Sequence, residues 1–474
     1  MHSARLSKLI KNLSHQDPSK RRSAAEALKE GDERAVYPLI KALRDDNLGV
    51  QDAATHSLMA IKNEVTAYMM LPLLREEAFL RNSALIILKE MGEFTIPLLP
   101  VLFRDKDDDV RKFALDLIFE IKYCNYPDLL LDILKNDPNA NVRASAAKAL
   151  GALNYRKAIP GLINALKDNE WVCFAAIEAL TALKDEDSIE NITTLLNNPS
   201  EAVRCAVIEA LGKFGSPRAQ HPLSEHIAGT KGFERKATII SLIKVGAVPS
   251  SSDISNDLIE ILKNDDWENK FVAIKGLTAL KETKAIRHMI DAAGSLEFSD
   301  PDRDDNVQVI KEAVMGFGCD DLLLELLEDV TFRYRGKALA IEIIGDLKCA
   351  SSISNLIKLA KSNFRDIKRS SIQSLGQIES EEGKECLIEA INDHDSHVRK
   401  MAIIALGKIG DMSAFEPLVK MLHRETYGDV IEEFVRALLR INAMLFLSRI
   451  NEFSEYIRET TTRCAPEYNA GVSC

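Results

Sequence analysis

One pattern recurs along nearly the whole chain. Its clearest copy runs from Asp137 to Asp168 and contains Arg143, which we use to mark the register. Equivalent positions follow one another at intervals of 29 to 38 residues, most often 30 or 31, in fourteen copies. The markers are Arg21, Gln51, Arg81, Arg111, Arg143, Cys173, Arg204, Arg235, Lys270, Gln308, Lys337, Lys368, Arg399 and Ile431. A fixed period of this length is typical of solenoids, in which stacking buries the apolar faces of the units.

Three columns of this repeat predict its local structure. A large apolar residue stands seven residues after every marker, Ala stands three after nine of the fourteen, and Gly stands eight after six of them. The apolar spacing predicts an amphipathic helix, the marker helix, and the small residues predict close packing against a neighbouring helix. A second helix follows, and Asp-rich turns that cap the next marker helix separate the units. We predict an all-α fold, a right-handed α-α superhelix of about 14 helix pairs.

Two copies of the repeat are especially regular, "DPNANVRASAAKALGALNYRKAIPGLINALKD" and "DHDSHVRKMAIIALGKIGDMSAFEPLVKML". These units resemble HEAT repeats, and most closely the short bacterial form first noted in phycobilisome lyases. The resemblance implies a HEAT/armadillo-like solenoid and a hydrogen-bonded ladder between repeats, built from the turn Asp and the marker Arg. Asp137 with Arg143 and Asp393 with Arg399 fit that ladder pattern. The ladder is expected to be interrupted at the markers that depart from it, which are Gln51, Cys173, Gln308 and Ile431.

Two longer intervals divide the chain. The stretches 246–257 and 294–306 are polar, predict loops and lengthen the units that contain them. We therefore expect N-terminal repeats over 1–245, irregular repeats over 246–306 and C-terminal repeats over 307–458. The last stretch, 459–474, lacks periodicity and is expected to be a tail.

Composition narrows the function classes. The net charge of −11 disfavours nucleic-acid binding, since phosphates attract basic surfaces. The eight Cys lie far apart, a pattern that favours reduced thiols in a cytoplasmic protein over a disulfide framework. The longest apolar stretch, 67–74, is too short to cross a bilayer, and the first thirteen residues lack a signal-peptide core. We expect a cytoplasmic protein that neither inserts into membranes nor binds nucleic acid.

Motifs for catalysis and metal binding fail in their details. The chain has no phosphate-binding P-loop, no H-E-x-x-H helix and no G-x-S-x-G elbow. It also has no His-Glu dipeptide, which HEAT-repeat hydroxylases use to hold iron. The Asp-rich segments at 300–311 and 105–116 lack the Gly that a calcium loop requires. We expect no catalytic residue, no metal ligand and no cofactor.

Aromatic residues provide the one candidate binding site. Trp171 and Trp267 lie in similar turns, and Phe174 and Phe271 each follow a marker directly. If the marker helix lines the inner face, as the HEAT resemblance implies, these four residues would edge a groove where aromatic anchors bind a partner. The alternative is that they pack between adjacent turns.

The function expected from these features is that of a scaffold. The long concave surface of such a solenoid, without a catalytic motif, suits the binding of partner proteins, in bacterial signalling or complex assembly by analogy of fold. The alternative is a phycobilisome (bilin) lyase-like enzyme or a chromophore-binding protein, because the repeat type is similar.

Overall fold

The computed structural model describes residues 3–249, 251–297, 299–319 and 321–465. Those residues form 29 α-helices and short 3-10 turns, with no strand among them. The chain divides into two compact units, Met1–Ala247 and Val248–Cys474. In each unit, marker helices and second helices alternate along the chain, as the repeat predicts.

The first unit holds eight marker helices. They are Pro18–Ala27, Leu48–Ala60, Ala78–Met91, Asp108–Ile121, Ala140–Ala152, Glu170–Leu183, Glu201–Phe214 and Gly232–Lys244. The helices of the second layer are Ser3–Asn12, Val36–Ala42, Glu64–Met70, Leu99–Leu102, Pro127–Asn136, Ile159–Ala165, Ile189–Thr193 and Gln220–His226. Side chains from both layers form one buried apolar cluster that extends from Leu6 to Val245.

The second unit repeats the arrangement. Its marker helices are Trp267–Ala279, Arg303–Met315, Tyr334–Asp346, Arg365–Ile378, Ser396–Ile409 and Gly428–Ser448, the last of which is kinked at Asn442. A further helix, Glu455–Cys464, packs against Gly428–Ser448. The second-layer helices are Ser252–Asn264, Ala285–Gly294, Asp321–Glu328, Ile353–Leu359, Lys384–Ala390 and Phe415–Leu422.

The columns of the repeat explain the packing. The large apolar residue seven positions after the marker is buried in thirteen repeats and half-buried at Met315. The Gly column lies where neighbouring marker helices touch: a Cβ on Gly151 would stand 2.8 Å from Cα of Ala179, and one on Gly376 would stand 2.4 Å from Cβ of Ala405. Only Gly allows such an approach without a shift of backbone, so this column fixes the spacing of the marker helices.

Three boundaries differ from the sequence-based expectations. Residues 252–257 and 303–306 were expected to be loops but are the first turns of helices Ser252–Asn264 and Arg303–Met315. The expected tail is wrong for 459–464, which belong to helix Glu455–Cys464. The rest of that tail, from residue 466 onward, lies outside the described residues.

Candidate interaction surfaces

Five of the marker arginines join consecutive repeats: Arg21, Arg111, Arg143, Arg204 and Arg399. Nη1 of Arg143 donates to the carbonyl oxygen of Asp137, 2.8 Å away, in its own turn. Its Nε and Nη2 donate to the carboxylate of Asp168, at 2.8 and 2.7 Å, in the next turn. Charge-assisted bidentate pairs are among the strong polar contacts of proteins, so each such Arg ties two turns together.

In the two expected pairs, Arg143 and Arg399 contact the backbone carbonyls of Asp137 and Asp393, whereas the carboxylates pair one repeat away. Asp137 accepts from Arg111, 2.7 Å away, rather than from Arg143. Asp393 accepts from Nζ of Lys368 at 2.8 Å, and Arg399 binds Glu425 at 2.8 Å. The same geometry recurs in pairs Arg21–Asp45 and Arg204–Glu234.

The expected interruptions are partial. Gln51 keeps the bond within its own turn, because its Nε2 donates to the carbonyl oxygen of Asp45 at 2.7 Å. Cys173 is buried, and burial raises the pKa of its thiol to about 11. A thiol with that pKa is almost entirely protonated at neutral pH, so the side chain acts as a small apolar residue.

Hydrogen bonds within the ladder shift the ionisation of its acids. The Arg143 guanidinium lowers the pKa of the Asp168 carboxyl group. Arg369, which binds Asp395 in the same way, holds the pKa of that carboxyl at about 2. Glu342 has the opposite shift, because burial raises its pKa even though Ser370 donates a hydrogen bond to it. Asp168 and Asp395 are therefore charged at neutral pH.

Trp171 and Phe174 lie together on the marker helix Glu170–Leu183 of the first unit. Asn169 caps this helix by accepting from the backbone N–H of Val172 at 3.1 Å, which places Trp171 in the first turn. The two rings meet edge to face with centroids 6.2 Å apart. Trp171 remains 67% exposed, whereas Phe174 is half-buried against the core. Contact with its neighbour therefore leaves most of the Trp171 surface in water.

Trp267 and Phe271 form a similar pair on helix Trp267–Ala279 of the second unit. Their ring centroids are 5.7 Å apart, and Nζ of Lys270 lies 5.1 Å from the Trp267 ring centroid. Both aromatic residues are half-buried. The local contacts thus cover this pair more than they cover Trp171. The two pairs belong to different units.

Further exposed aromatic residues share the position of Trp171, two residues before a marker. Phe79 is 43% exposed and Phe233 is 68% exposed, on the marker helices Ala78–Met91 and Gly232–Lys244. In the second unit, Tyr334 stacks on Phe364 with centroids 5.8 Å apart and both rings are exposed. The repeat register would have identified Phe79 and Phe233, because they occupy the same column as Trp171.

Two cysteines do not follow the sequence-based expectation. Cys319 and Cys349 form a disulfide, with Cα atoms 5.9 Å apart and a sequence separation of 30. That separation is one repeat length, so the two residues lie in equivalent turns of consecutive repeats. The expectation of reduced thiols is wrong for this pair, while Cys124, Cys173, Cys205, Cys386 and Cys464 are free.

Neither a metal cluster nor a membrane-spanning helix is found in the described part of the chain. Among its His, Cys, Asp and Glu side chains, no group of three or more is placed to hold a metal ion. Within the same residues, every helix is too short or too polar to cross a membrane.

The stacked helix pairs, the buried columns and the ladder between turns define an α-helical repeat protein of the solenoid class. A family model of HEAT repeats matches residues 6–89, 95–173, 160–244 and 353–439. The chain belongs to the HEAT-repeat family.

Two cyanobacterial proteins are similar in sequence. The chain is 28% identical over 178 residues to phycocyanobilin lyase subunit alpha of Nostoc sp., a match that covers 33% of this chain and 60% of that protein. It is 26% identical over 164 residues to an uncharacterized phycocyanin operon protein Z of Pseudanabaena tenuis, covering 32% of this chain and 78% of the relative. Each match therefore spans about a third of this chain.

A solved structure of Kap95p with RanGDP is similar in fold. It matches with a TM-score of 0.58 and 14% identity, over 94% of this chain and 75% of that chain. At this identity the likeness shows the fold alone, a HEAT solenoid.

Proposed function

We propose that the protein is a non-enzymatic scaffold or adaptor that binds partner proteins through the exposed face of its marker helices, as in a bacterial signalling or assembly complex. The observation that carries the proposal is the set of exposed aromatic residues at one repeat position, Phe79, Trp171 and Phe233. Exposed aromatic side chains are costly in water and are enriched at protein–protein hot spots. Their recurrence in one column gives them a common face within the first unit.

The packing of the marker helices supports this choice of face. Close approach at Gly151 and Gly212 leaves no space between the helix backbones, so the outward side chains form a continuous surface. Ile86, which is 52% exposed, lies seven residues after Phe79 and therefore on the same side of its helix. In the second unit we assign the corresponding role to Trp267 and Phe271.

The test compares two triple variants for binding to partners. Phe79, Trp171 and Phe233 are changed to Ala in one variant, and Tyr37, Tyr68 and Tyr126 are changed to Ala in the other. The three Tyr residues are also exposed but lie on or beside second helices, so they form a matched control. Partners are captured from native lysate, identified by mass spectrometry, purified and titrated against each folded variant.

We expect a stoichiometric partner to bind the Tyr variant as it binds the wild type. The partner should bind the variant that lacks Phe79, Trp171 and Phe233 at least about 100-fold more weakly, since single hot-spot residues each contribute about 2 kcal/mol. If the partner bound the two triple variants with equal affinity, the exposed face of the marker helices would not be its binding surface. Repeating the titration with Trp267→Ala and Phe271→Ala tests the second unit separately.

A second candidate function rests on the similarity to phycocyanobilin lyase subunit alpha. In this alternative the protein binds a bilin chromophore or acts as a bilin lyase. Incubation of the purified chain with phycocyanobilin, followed by gel filtration and visible absorbance, decides between the alternatives. Co-elution of colour with the protein would favour the lyase-like function, and its absence would leave the scaffold.

A further inference from the structure

A groove in the second-helix layer of the first unit has the dimensions of a ligand site. It lies between helices Pro127–Asn136 and Ile159–Ala165 and has a volume of about 410 Å³. Leu131, Leu134 and Ala165 supply an apolar lining. Small-molecule sites are typically concave and mostly apolar, with volumes of roughly 300–1,000 Å³. This layer is separate from the exposed face of the marker helices, so the two surfaces can be tested independently.

A glycine opens the groove. Gly161 lines it, and a Cβ at this position would lie 3.5 Å from Cδ2 of Leu131 and 3.8 Å from Cδ2 of Leu134, at ordinary van der Waals distance. The position is the one just before the buried large residue of the second helix, which here is Leu162. In twelve other repeats a side chain stands there: Pro38, Met69, Leu98, Leu129, Asn191, Pro222, Asp257, His288, Leu322, Asn355, Cys386 and Pro417. The absent side chain at Gly161 therefore leaves the space between the two helices unfilled.

Two lysines give the groove its charge. Lys135 and Lys157 both line it and are exposed, and neither ammonium group has an ion-pair or hydrogen-bond partner within the described residues. The acid that also lines the groove, Asp168, already accepts two hydrogen bonds from Arg143. Asn164 adds a neutral amide. The side chains that line the groove therefore present a net positive charge to a bound molecule, although the net charge of the whole chain is −11.

We propose that this groove is a binding site for a small apolar carboxylate. The hydrocarbon part of such a molecule would occupy the space beside Gly161 and contact Leu131 and Leu134. Its carboxylate would lie between the ammonium groups of Lys135 and Lys157, where charge-assisted hydrogen bonds can form. An uncharged apolar molecule would use only the first set of contacts, and a cation would be repelled.

Calorimetric titration of the full chain with decanoate, decanol and decylammonium below their micelle concentrations tests this assignment. We expect decanoate to bind about tenfold more tightly than decanol, because a charge-assisted contact at an exposed site contributes about one power of ten. Decylammonium should not bind measurably. Absence of decanoate binding, or equal binding of all three, would overturn the proposal.

Three variants locate the site. Gly161→Leu places a side chain in the groove and should abolish decanoate binding, whereas Asn191→Leu makes the same addition at the equivalent position of the next repeat and should leave it unchanged. Neither residue has a positive φ, so both variants are expected to fold, as circular dichroism would verify. The double variant Lys135→Gln, Lys157→Gln should bind decanoate only as tightly as it binds decanol.

Each failure has a distinct meaning. Unchanged decanoate binding by folded Gly161→Leu would place the molecule elsewhere and refute the site. Retained preference for decanoate in the double Gln variant would refute the role of the lysines. If decanoate does not bind but Gly161→Leu loses an acidic partner protein, the occupant is a protein segment and the small-molecule proposal is wrong.

Discussion

An arginine at a ladder marker has two structural tasks. Arg143 holds the turn that precedes its own helix through a carbonyl oxygen and holds the next turn through a carboxylate. Gln51 can perform only the first task, since an amide does not form a bidentate ion pair. The identity of the marker residue thus sets how firmly each repeat is joined to the next.

Arg143→Gln should lower the free energy of unfolding at pH 7 by about 2 kcal/mol, a value between those of exposed and buried ion pairs. The Asp168 carboxyl has a lowered pKa in the folded state, so its contribution is present above the unfolded value of 3.8 and is lost as pH falls through the folded value. The difference between variant and wild type should therefore shrink below about pH 4. Urea unfolding at pH 7 and pH 3.5 measures both effects.

Arg22→Gln is the matched control for this prediction. Arg22 binds Glu26 one turn along the same helix, and both side chains are more than half exposed. Its loss should change stability by no more than about 0.5 kcal/mol. A cost for Arg143→Gln that is as small, or that does not depend on pH, would show that the ladder does not stabilise the repeat.

At the scale of helices, the sequence predicted most elements but misplaced three of their ends. Helix Ser252–Asn264 begins in a polar segment, because Ser251 caps it by accepting from the N–H of Ile254 and polar residues fill its first turns. In helix Glu455–Cys464, Thr460 and Thr461 are buried and donate to carbonyl oxygens four residues earlier. Because threonine stands at buried positions where an aliphatic residue is usual, the apolar helical period of this segment is not visible in the sequence. Polar composition alone is therefore a poor sign of a loop in this repeat.

The disulfide between Cys319 and Cys349 joins turns of consecutive repeats, and periodicity could have predicted it, since the two residues are one repeat apart. A link across 30 residues restricts the unfolded chain, so Cys319→Ser should lower the free energy of unfolding by about 3 kcal/mol. Urea unfolding under non-reducing conditions measures this loss.

Treatment of the wild type and of Cys319→Ser with a reductant is the control for the disulfide prediction. Reduction should lower the stability of the wild type to about that of Cys319→Ser and leave the variant unchanged. Alkylation of the unfolded, unreduced wild type should spare Cys319 and Cys349 while it modifies the other six cysteines of the chain. Modification of both residues under those conditions would show that the bond does not form.

At the scale of the whole molecule, the repeat register predicted more of the fold than of the surfaces. It pointed to Trp171 through local spacing, whereas the ladder was expected from the resemblance to HEAT repeats. It could also have identified Phe79 and Phe233, which share the column of Trp171, but it did not reveal that Gly161 opens a groove, since that depends on how helices from different repeats pack. The irregular region expected at 246–306 begins close to the boundary between the units at Ala247 and Val248.

The two units should be separable, because the first contains a buried cluster, from Leu6 to Val245, that closes within its own residues. In a solenoid each repeat is stabilised mainly by its neighbours, so a cut within a unit exposes a core. We expect fragments 1–247 and 248–474 to be folded and helical, with circular dichroism spectra that add up to that of the full chain.

The control fragment 1–152 ends just after Gly151 and lacks its contact residue Ala179, so that this helix interface is exposed. It should aggregate or melt at least 10 °C below fragment 1–247, which corresponds to about 3–5 kcal/mol for a domain of this size. If fragment 1–247 behaves no better than fragment 1–152, the first unit depends on the second and is not an independent folding unit.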